Sequence, residues 1–258
     1  MKPKEQKEIL TLLDFERQTV IYPGTTRFSD IGIIRDVSDD GKNCEIVYSS
    51  CSENDLDQTI KHQIEVARNA RYELEWKVYG HDRPHDLGER LLAAGFKTGE
   101  KEMFMVSSVN NETLNRFDVC SCDIRCVTSK EGLKDVQMIS EEVYAKSYET
   151  QITRWGAMLE NHPQSMSIYV AYIDGEPAAS GRVYFQESSK FAGLFGGQTR
   201  ERFRKRGLFT QLVAVRIREA LSRRIAYICV DALPTSEPIL RKRGFESVTY
   251  TQPFCFSE

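Results

Sequence analysis

Apolar positions along this chain fall into short alternating runs separated by longer runs of helical period. Residues 1–30 read as helix and then loop. Arg27 to Ile34 reads as a strand, Asp39-Asp40-Gly41 as a turn, and Cys44 to Ser49 as a second strand. From Asp55 to Ala70, Leu56, Ile60, Ile64 and Ala67 recur at helical spacing. Glu73 to Tyr79 alternates as a half-buried strand does. HDRPHDLGERLLAAGF predicts a capped helix with Pro84 near its first turn and Gly95 ending it. EKEMFMVSS is a further strand.

Residues 107–119 are polar and aperiodic, and predict a linker between residues 1–106 and residues 120–258. The second half opens with a strand at 122–127 and helical material from Leu133 to Glu160. Ile168 to Ile173 and Ala178 to Phe185 flank Asp174-Gly175, a pair suited to the tight turn of a hairpin. A strand at 190–199 leads to a helix marked by Phe209, Val213, Ile217 and Leu221. Ile225 to Val230 is continuously apolar, as in a strand covered on both faces. A short helix, Ser236 to Arg243, ends at Gly244, and Val248 to Phe256 is a last strand. The two halves echo each other: each runs strand, helix, strand, short helix ending in Gly-Phe (Gly95-Phe96, Gly244-Phe245), strand. The fold class is therefore α/β (α+β), with two mixed-sheet domains.

Charge narrows the function. Five of the seven residues from Arg200 to Arg206 are basic. Yet Lys+Arg is 35 against Asp+Glu 38, a net charge of -3, so the run is a local feature of a slightly acidic chain. That balance, and the lack of aromatic interleaving beyond Phe203 and Phe209, argue against nucleic acid as partner. No stretch is apolar enough for a membrane span or a secretory signal. Seven cysteines, an odd number, suit reduced thiols in a cytoplasm.

The basic run sits where a strand should meet a helix, with Gly207 at the joint. The first amides of a helix lack intrahelical partners, its dipole is positive there, and a glycine lets an anion approach the backbone. Arg204, Lys205 and Arg206 add charge, so the expected ligand carries a pyrophosphate. The alternative is a solvated basic helix entry.

RERFRKRGLFTQLV, followed by VDALPTSEPILRKRGF, resembles the GNAT superfamily of acyl-CoA-dependent N-acyltransferases. Its signature, Gln/Arg-x-x-Gly-x-Gly/Ala, falls on Arg204, Gly207 and Phe209, where Phe209 replaces a small residue. The resemblance covers residues 122–256 well and residues 27–106 faintly; the first half reads as a degenerate GNAT-like copy, with the acidic SSCSENDLDQTI in place of the basic run. It implies acetyl-CoA as cosubstrate, lying in a splay between the strand ending near Thr199 and the strand Ile225–Val230. Backbone groups of Gly197, Gln198 and Thr199 would bond the pantetheine arm. Arg204, Lys205, Arg206, Gly207, Leu208 and Phe209 would hold the pyrophosphate, and Ser236 would contact the cofactor or cap the short helix. An amine would attack the thioester directly. Asp231 is the candidate base, or a cap for the next loop; Glu187 and Tyr184 are weaker candidates. The family's thiolate-protonating Tyr is replaced by Leu240. A non-catalytic acyl-CoA sensor on the same fold is the alternative function.

Other candidates weigh toward structure. Cys120, Cys122 and Cys126 lack a second ligand cluster for a metal. His81 and His85, with Asp82 and Asp86, sit at a strand-to-helix turn where Asp commonly caps, so no metal is expected. Cys229 and Trp76 read as core. Tyr144, Tyr148 and Trp155 pack, or shape an acceptor pocket.

Overall fold

The structure is a computed structural model and describes residues 2–117 and 122–256. In chain order its elements are α1 (Pro3–Thr19), β1 (Thr25–Asp30), β2 (Ile33–Ser38), β3 (Asn43–Ser49), α2 (Leu56–Ala70), β4 (Glu73–Tyr79), α3 (Leu87–Ala93), β5 (Lys97–Thr98) and β6 (Glu102–Ser108). There follow α4 (Asn111–Phe117), β7 (Asp123–Cys126), α5 (Leu133–Tyr144), α6 (Glu149–Asn161), β8 (Met166–Ile173), β9 (Glu176–Phe185) and β10 (Phe191–Thr199). The last elements are α7 (Leu208–Ser222), β11 (Tyr227–Ala232), α8 (Glu237–Lys242) and β12 (Glu246–Phe256). The chain forms two compact units. The first holds the chain up to Met105, Asp231–Pro238 and the chain from Glu246 onward; the second holds Val106–Val230 and Ile239–Phe245.

In the first unit the strand order is β1-β2-β3-β4-β12, with β5 beside β12. β3 and β4 are parallel and joined by α2; β12 is antiparallel to β4, from Thr251↔Tyr79 to Phe256↔Leu74. The core gathers Ile33, Ile46, Leu56, Ile60, Leu74 and Trp76, the inward positions of β2, β3, α2 and β4. Burying such side chains supplies the main driving force for this packing, about 1.5–3 kcal/mol each.

The run expected as one strand, Arg27 to Ile34, is instead the end of β1, a turn at Ile31-Gly32 and the start of β2. Gly32 has φ 74°, and Ile31 is 99% exposed at the tip, so its apolar side chain is a misleading guide to the strand's course. The helix expected from residue 81 starts only at Leu87. The Asp82 carboxylate accepts the Tyr79 amide at 2.9 Å and binds the Arg17 guanidinium, holding His81–Asp86 as a turn. The C-terminal strand, expected in the second domain, belongs to the first unit. Alternation identifies a strand but not the edge on which it pairs.

In the second unit the strand order is β11-β10-β9-β8-β7. The β8–β9 hairpin turns at Asp174 and Gly175, with φ 52° and 80°, the two positive values its tight turn requires. α5 and α6 cover one sheet face over Val136, Ile139, Ile168 and Val170. α7 covers the other with Leu208 and Leu212. The helical stretch 133–160 is broken by Ala145 at φ 53°. Residues 107–119, expected as a linker, contain the end of β6 and α4. α4 packs on α7: Phe117 meets Phe245 edge-on at 5.7 Å, and Gln211 Nε2 donates to the Phe117 carbonyl at 3.2 Å. Only Thr113 and Phe117 of α4 are buried, too few to mark a period in the sequence. Residues 118–121, including Cys120 of the cysteine cluster, lie outside the described residues.

A parallel strand pair spanned by a helix occurs in each unit: β3–α2–β4 and β10–α7–β11. Among the described residues, no helix is long and apolar enough to cross a membrane.

Candidate functional site

The parallel pairing of β10 with β11 runs from Phe191↔Tyr227 to Gly193↔Cys229 and goes no further among the described residues. β10 continues to Thr199, bonded to β9 on its other side and bulged between Phe195 and Gln198. Beyond Gly193, therefore, β10 offers a backbone edge that β11 does not take. Gly196, in the bulge, has φ 56°. Gly197 is exposed. Its neighbour on the α7 side is Phe209, whose ring carbon lies 3.0 Å from where a Cβ of Gly197 would stand. Phe209 is half-buried, and it is the bare Gly197 backbone that accommodates the ring.

The Gln198 side chain turns inward and donates to Ser140 Oγ at 2.6 Å and Ser180 Oγ at 2.9 Å. Gln198 Oε1 is buried and has no hydrogen-bond partner among the described residues. The Thr199 carbonyl accepts from Arg204 Nε at 3.3 Å.

The basic run separates into two parts. Arg200 is buried, at 5% exposure. It donates to Glu142 at 2.7 Å, to Glu176 at 2.9 Å and to the Pro177 carbonyl at 2.8 Å. Arg202 also pairs with Glu176. Phe203 anchors the turn in the core, with the guanidinium groups of Arg200, Arg202 and Arg206 at 5.5, 4.8 and 5.6 Å from its ring centre. Arg204, Lys205, Arg206 and Gly207 are exposed. Lys205 and Gly207 have φ 62° and 79°, which curl the chain into the first turn of α7. Gly207 is the N-cap, has no side chain to occupy the helix amides, and no acid stands in the first turn. Leu208 is buried, so any contact it makes with a ligand comes from its main chain. Exposed cations around a glycine-capped helix start give this place a positive potential.

At the same place in the first unit, α2 follows Glu53, with Asp55 as N-cap and Asp57 in its first turn. These carboxylates repel a phosphate. The strand pair there is filled by Trp76, fully buried, with its indole N–H 3.4 Å from Ser49 Oγ.

Asp231 belongs to the first unit, and both its oxygens are engaged. Oδ2 meets Lys77 Nζ at 2.7 Å, and Oδ1 accepts from Thr251 at 2.8 Å. Lys77 is half-buried, but Asp231 and Glu45 outweigh the loss of solvent and hold its ammonium well above the usual lysine range. Burial, reinforced by the charge of Asp231, pushes the Glu102 carboxyl up to about 7. Ser236 Oγ donates to the Leu233 carbonyl at 3.2 Å, closing the turn ahead of α8. Leu240 is fully buried. Glu187 is exposed after β9, and Tyr184 meets Phe195 edge-on at 5.2 Å.

His81, Asp82 and Asp14 lie together in the first unit. Arg17 fills the role a cation would have there, bonding Asp14 at 2.8 Å and Asp82 at 2.8 and 3.0 Å, while His81 Nε2 meets Asp14 at 2.9 Å. Burial works against the Asp14 carboxylate, but His81 and Arg17 outweigh it and hold Asp14 below its usual range. His85 meets Arg83, and Asp86 meets Arg90. Among the described cysteines, Cys122, Cys126 and Cys229 are in no disulfide.

Two residues that matter here carry no signal in the sequence. The structural role of Arg200 is hidden inside a run of like residues. Arg182, on β9, stacks over Trp155 at 3.9 Å and stands against the bulge at Gly196.

No family model and no curated protein matches this sequence. Solved structures do match in fold. A functionally unknown conserved protein from Staphylococcus epidermidis aligns with TM-score 0.70 and 14% identity, over 92% of this chain and 96% of its own. A GCN5-related N-acetyltransferase from Kribbella flavida aligns with TM-score 0.64 and 11% identity, over 98% and 94%. A tandem GNAT protein from the clavulanic acid biosynthesis pathway, in a structure without acetyl-CoA, aligns with TM-score 0.61 and 13% identity, over 99% and 95%. The chain has the tandem GNAT fold.

Proposed function

We propose that this chain is an N-acyltransferase that takes acetyl from acetyl-CoA and passes it to an amine. The observation that carries this reading is the sequence of features along β10 and α7: a β10 edge left open after Gly193, then a basic turn, then a glycine-capped helix. An extended pantetheine arm fits the open edge at Gly197–Thr199 as an added strand would. A main-chain amide there would polarise the thioester carbonyl. The exposed side chains of Arg204, Lys205 and Arg206, with the first amides of α7, would hold the pyrophosphate. The amine nitrogen would attack the carbonyl carbon, the C–S bond would break, and CoA would leave as thiolate. No covalent enzyme intermediate is needed.

This reading gives no family-type acid to the thiolate, because Leu240 is buried where that Tyr would stand. It also gives Asp231 no free oxygen for the amine's proton while Lys77 and Thr251 hold it. Those two observations favour a second reading, a non-catalytic acyl-CoA sensor built on the same site. Thiol release from acetyl-CoA across a panel of primary amines separates the two. Amine-dependent release supports the enzyme. CoA binding without release from any amine supports the sensor.

A further inference from the structure

We propose that Arg182 selects an acceptor amine that carries a carboxylate; the inference rests on the acyltransferase reading above. Arg182 lies on β9 directly opposite Phe195 of β10, one residue before Gly196. Its Nη1 is 2.6 Å from the position a Cβ of Gly196 would take, so the guanidinium occupies the space that the missing side chain leaves. It therefore borders the segment where β10 opens toward Gly197–Thr199, the stretch proposed to carry the thioester.

Among the described residues, no carboxylate is paired with the Arg182 guanidinium. Its Nε is buried and has no hydrogen-bond partner among the described residues. Carboxylates on the helices that pack against this sheet are committed elsewhere. Glu142 serves Arg200, Asp135 serves Tyr172, Glu141 serves Gln137 and the Tyr148 amide, and Glu219 serves Arg223. A second guanidinium, Arg216, comes from the opposite sheet face and donates to the Arg182 carbonyl at 3.0 Å; it adds positive charge rather than relieving it. Half-buried arginine without an acid is costly unless something compensates it. The Trp155 ring covers one face of the guanidinium at 3.9 Å and fixes its plane. The edge N–H groups are what remains, and an in-plane fork of donors is the geometry that a carboxylate accepts.

The test uses the full chain and bisubstrate probes, so it does not depend on turnover. Coenzyme A is joined through its sulfur and a –CH2–C(=O)– group to the nitrogen of glycine, β-alanine or γ-aminobutyrate. Each acid has a neutral counterpart ending in a carboxamide. Calorimetry then compares the wild type with Arg182→Gln and Arg182→Lys. In the wild type at least one acid should bind about 10- to 100-fold more tightly than its amide, the range of a charge-assisted hydrogen bond. Arg182→Gln should erase that advantage, and Arg182→Lys should keep part of it, while plain CoA binds all three proteins alike. Equal binding of acids and amides to the wild type overturns the inference, as does an advantage that survives in Arg182→Gln. If Arg182→Gln does not fold, the wild-type comparison and Arg182→Lys decide alone. CoA binding without acid preference sinks only this inference; no CoA binding at all sinks the acyl-CoA reading and this with it.

Discussion

Replacing Arg200 with Met should unfold the second unit more easily, whereas replacing Arg204 with Ala should not, although the two lie in one basic run. The magnitude follows from their surroundings. Arg200 is 5% exposed and makes charge-assisted bonds to Glu142 and Glu176 and a bond to the Pro177 carbonyl. The side chains of the two glutamates are 43% and 41% exposed, so water re-solvates them when the guanidinium is gone, and each bond returns less than a buried one would. The Pro177 carbonyl is the larger loss, because a buried acceptor left unpaired costs about 1–3 kcal/mol. Together the expected cost is about 2–3 kcal/mol, or roughly 5–10 °C in midpoint for a unit of this size. Arg204 is exposed and makes one long bond to Thr199, so Arg204→Ala should stay within about 0.5 kcal/mol. Urea unfolding followed by far-UV circular dichroism reads both, with Arg200→Lys as the conservative control. Equal stability of the two variants would refute the division of the run into an anchor and a ligand-facing part.

Other outcomes follow from the same geometry. Gly196→Ala must adopt φ 56° and displace the Arg182 guanidinium, so urea unfolding should show a loss of about 1–2 kcal/mol or more. Glu102, whose carboxyl is raised from 4.5 to about 7, favours its neutral form in the folded state, so its contribution to stability falls as pH rises through that window. Since this side chain is partly open to solvent, Glu102→Gln should gain only about 1 kcal/mol at pH 8 and nothing at pH 4.5, measured as unfolding midpoints; a gain at the lower pH contradicts the assignment. Arg216 is fully buried, and burial with the charge of Arg182 pushes it down to about 9, so the folded state bears the cost of its charge below that pH. Arg216→Met should therefore be neutral or stabilising at pH 7; a loss above about 2 kcal/mol would show that its bonds to the Leu212 and Arg182 carbonyls outweigh the burial.

Local features of this fold are legible in the sequence where local chemistry decides them. Asp174-Gly175 makes its hairpin, and Gly207 ends the basic run at a helix start, because turn and cap preferences act over a few residues. What distance in the chain decides was not legible. The strand at 246–256 pairs with β4, and no alternation pattern names a partner. The turn at His81–Asp86 is held by Arg17, 65 residues from Asp82. Asp231 reads as a free strand-end acid until Lys77, 154 residues away, is found on it. Phe209 breaks the family's small-residue pattern, and only the contact with Gly197 shows that the two positions accommodate each other.

In the function proposed above, one pyrophosphate-bearing ligand sits at the start of α7. Calorimetric titration of the full chain with coenzyme A, against Gly207→Asp, tests it most directly. Asp tolerates the left-handed backbone that Gly207 adopts at φ 79°, so the variant should fold, while its carboxylate meets the phosphates. Saturable CoA binding by the wild type is expected, weakened at least about 10-fold in the variant, the scale of one lost or reversed charge contact. No binding by the wild type, or equal binding by both proteins, would contradict it.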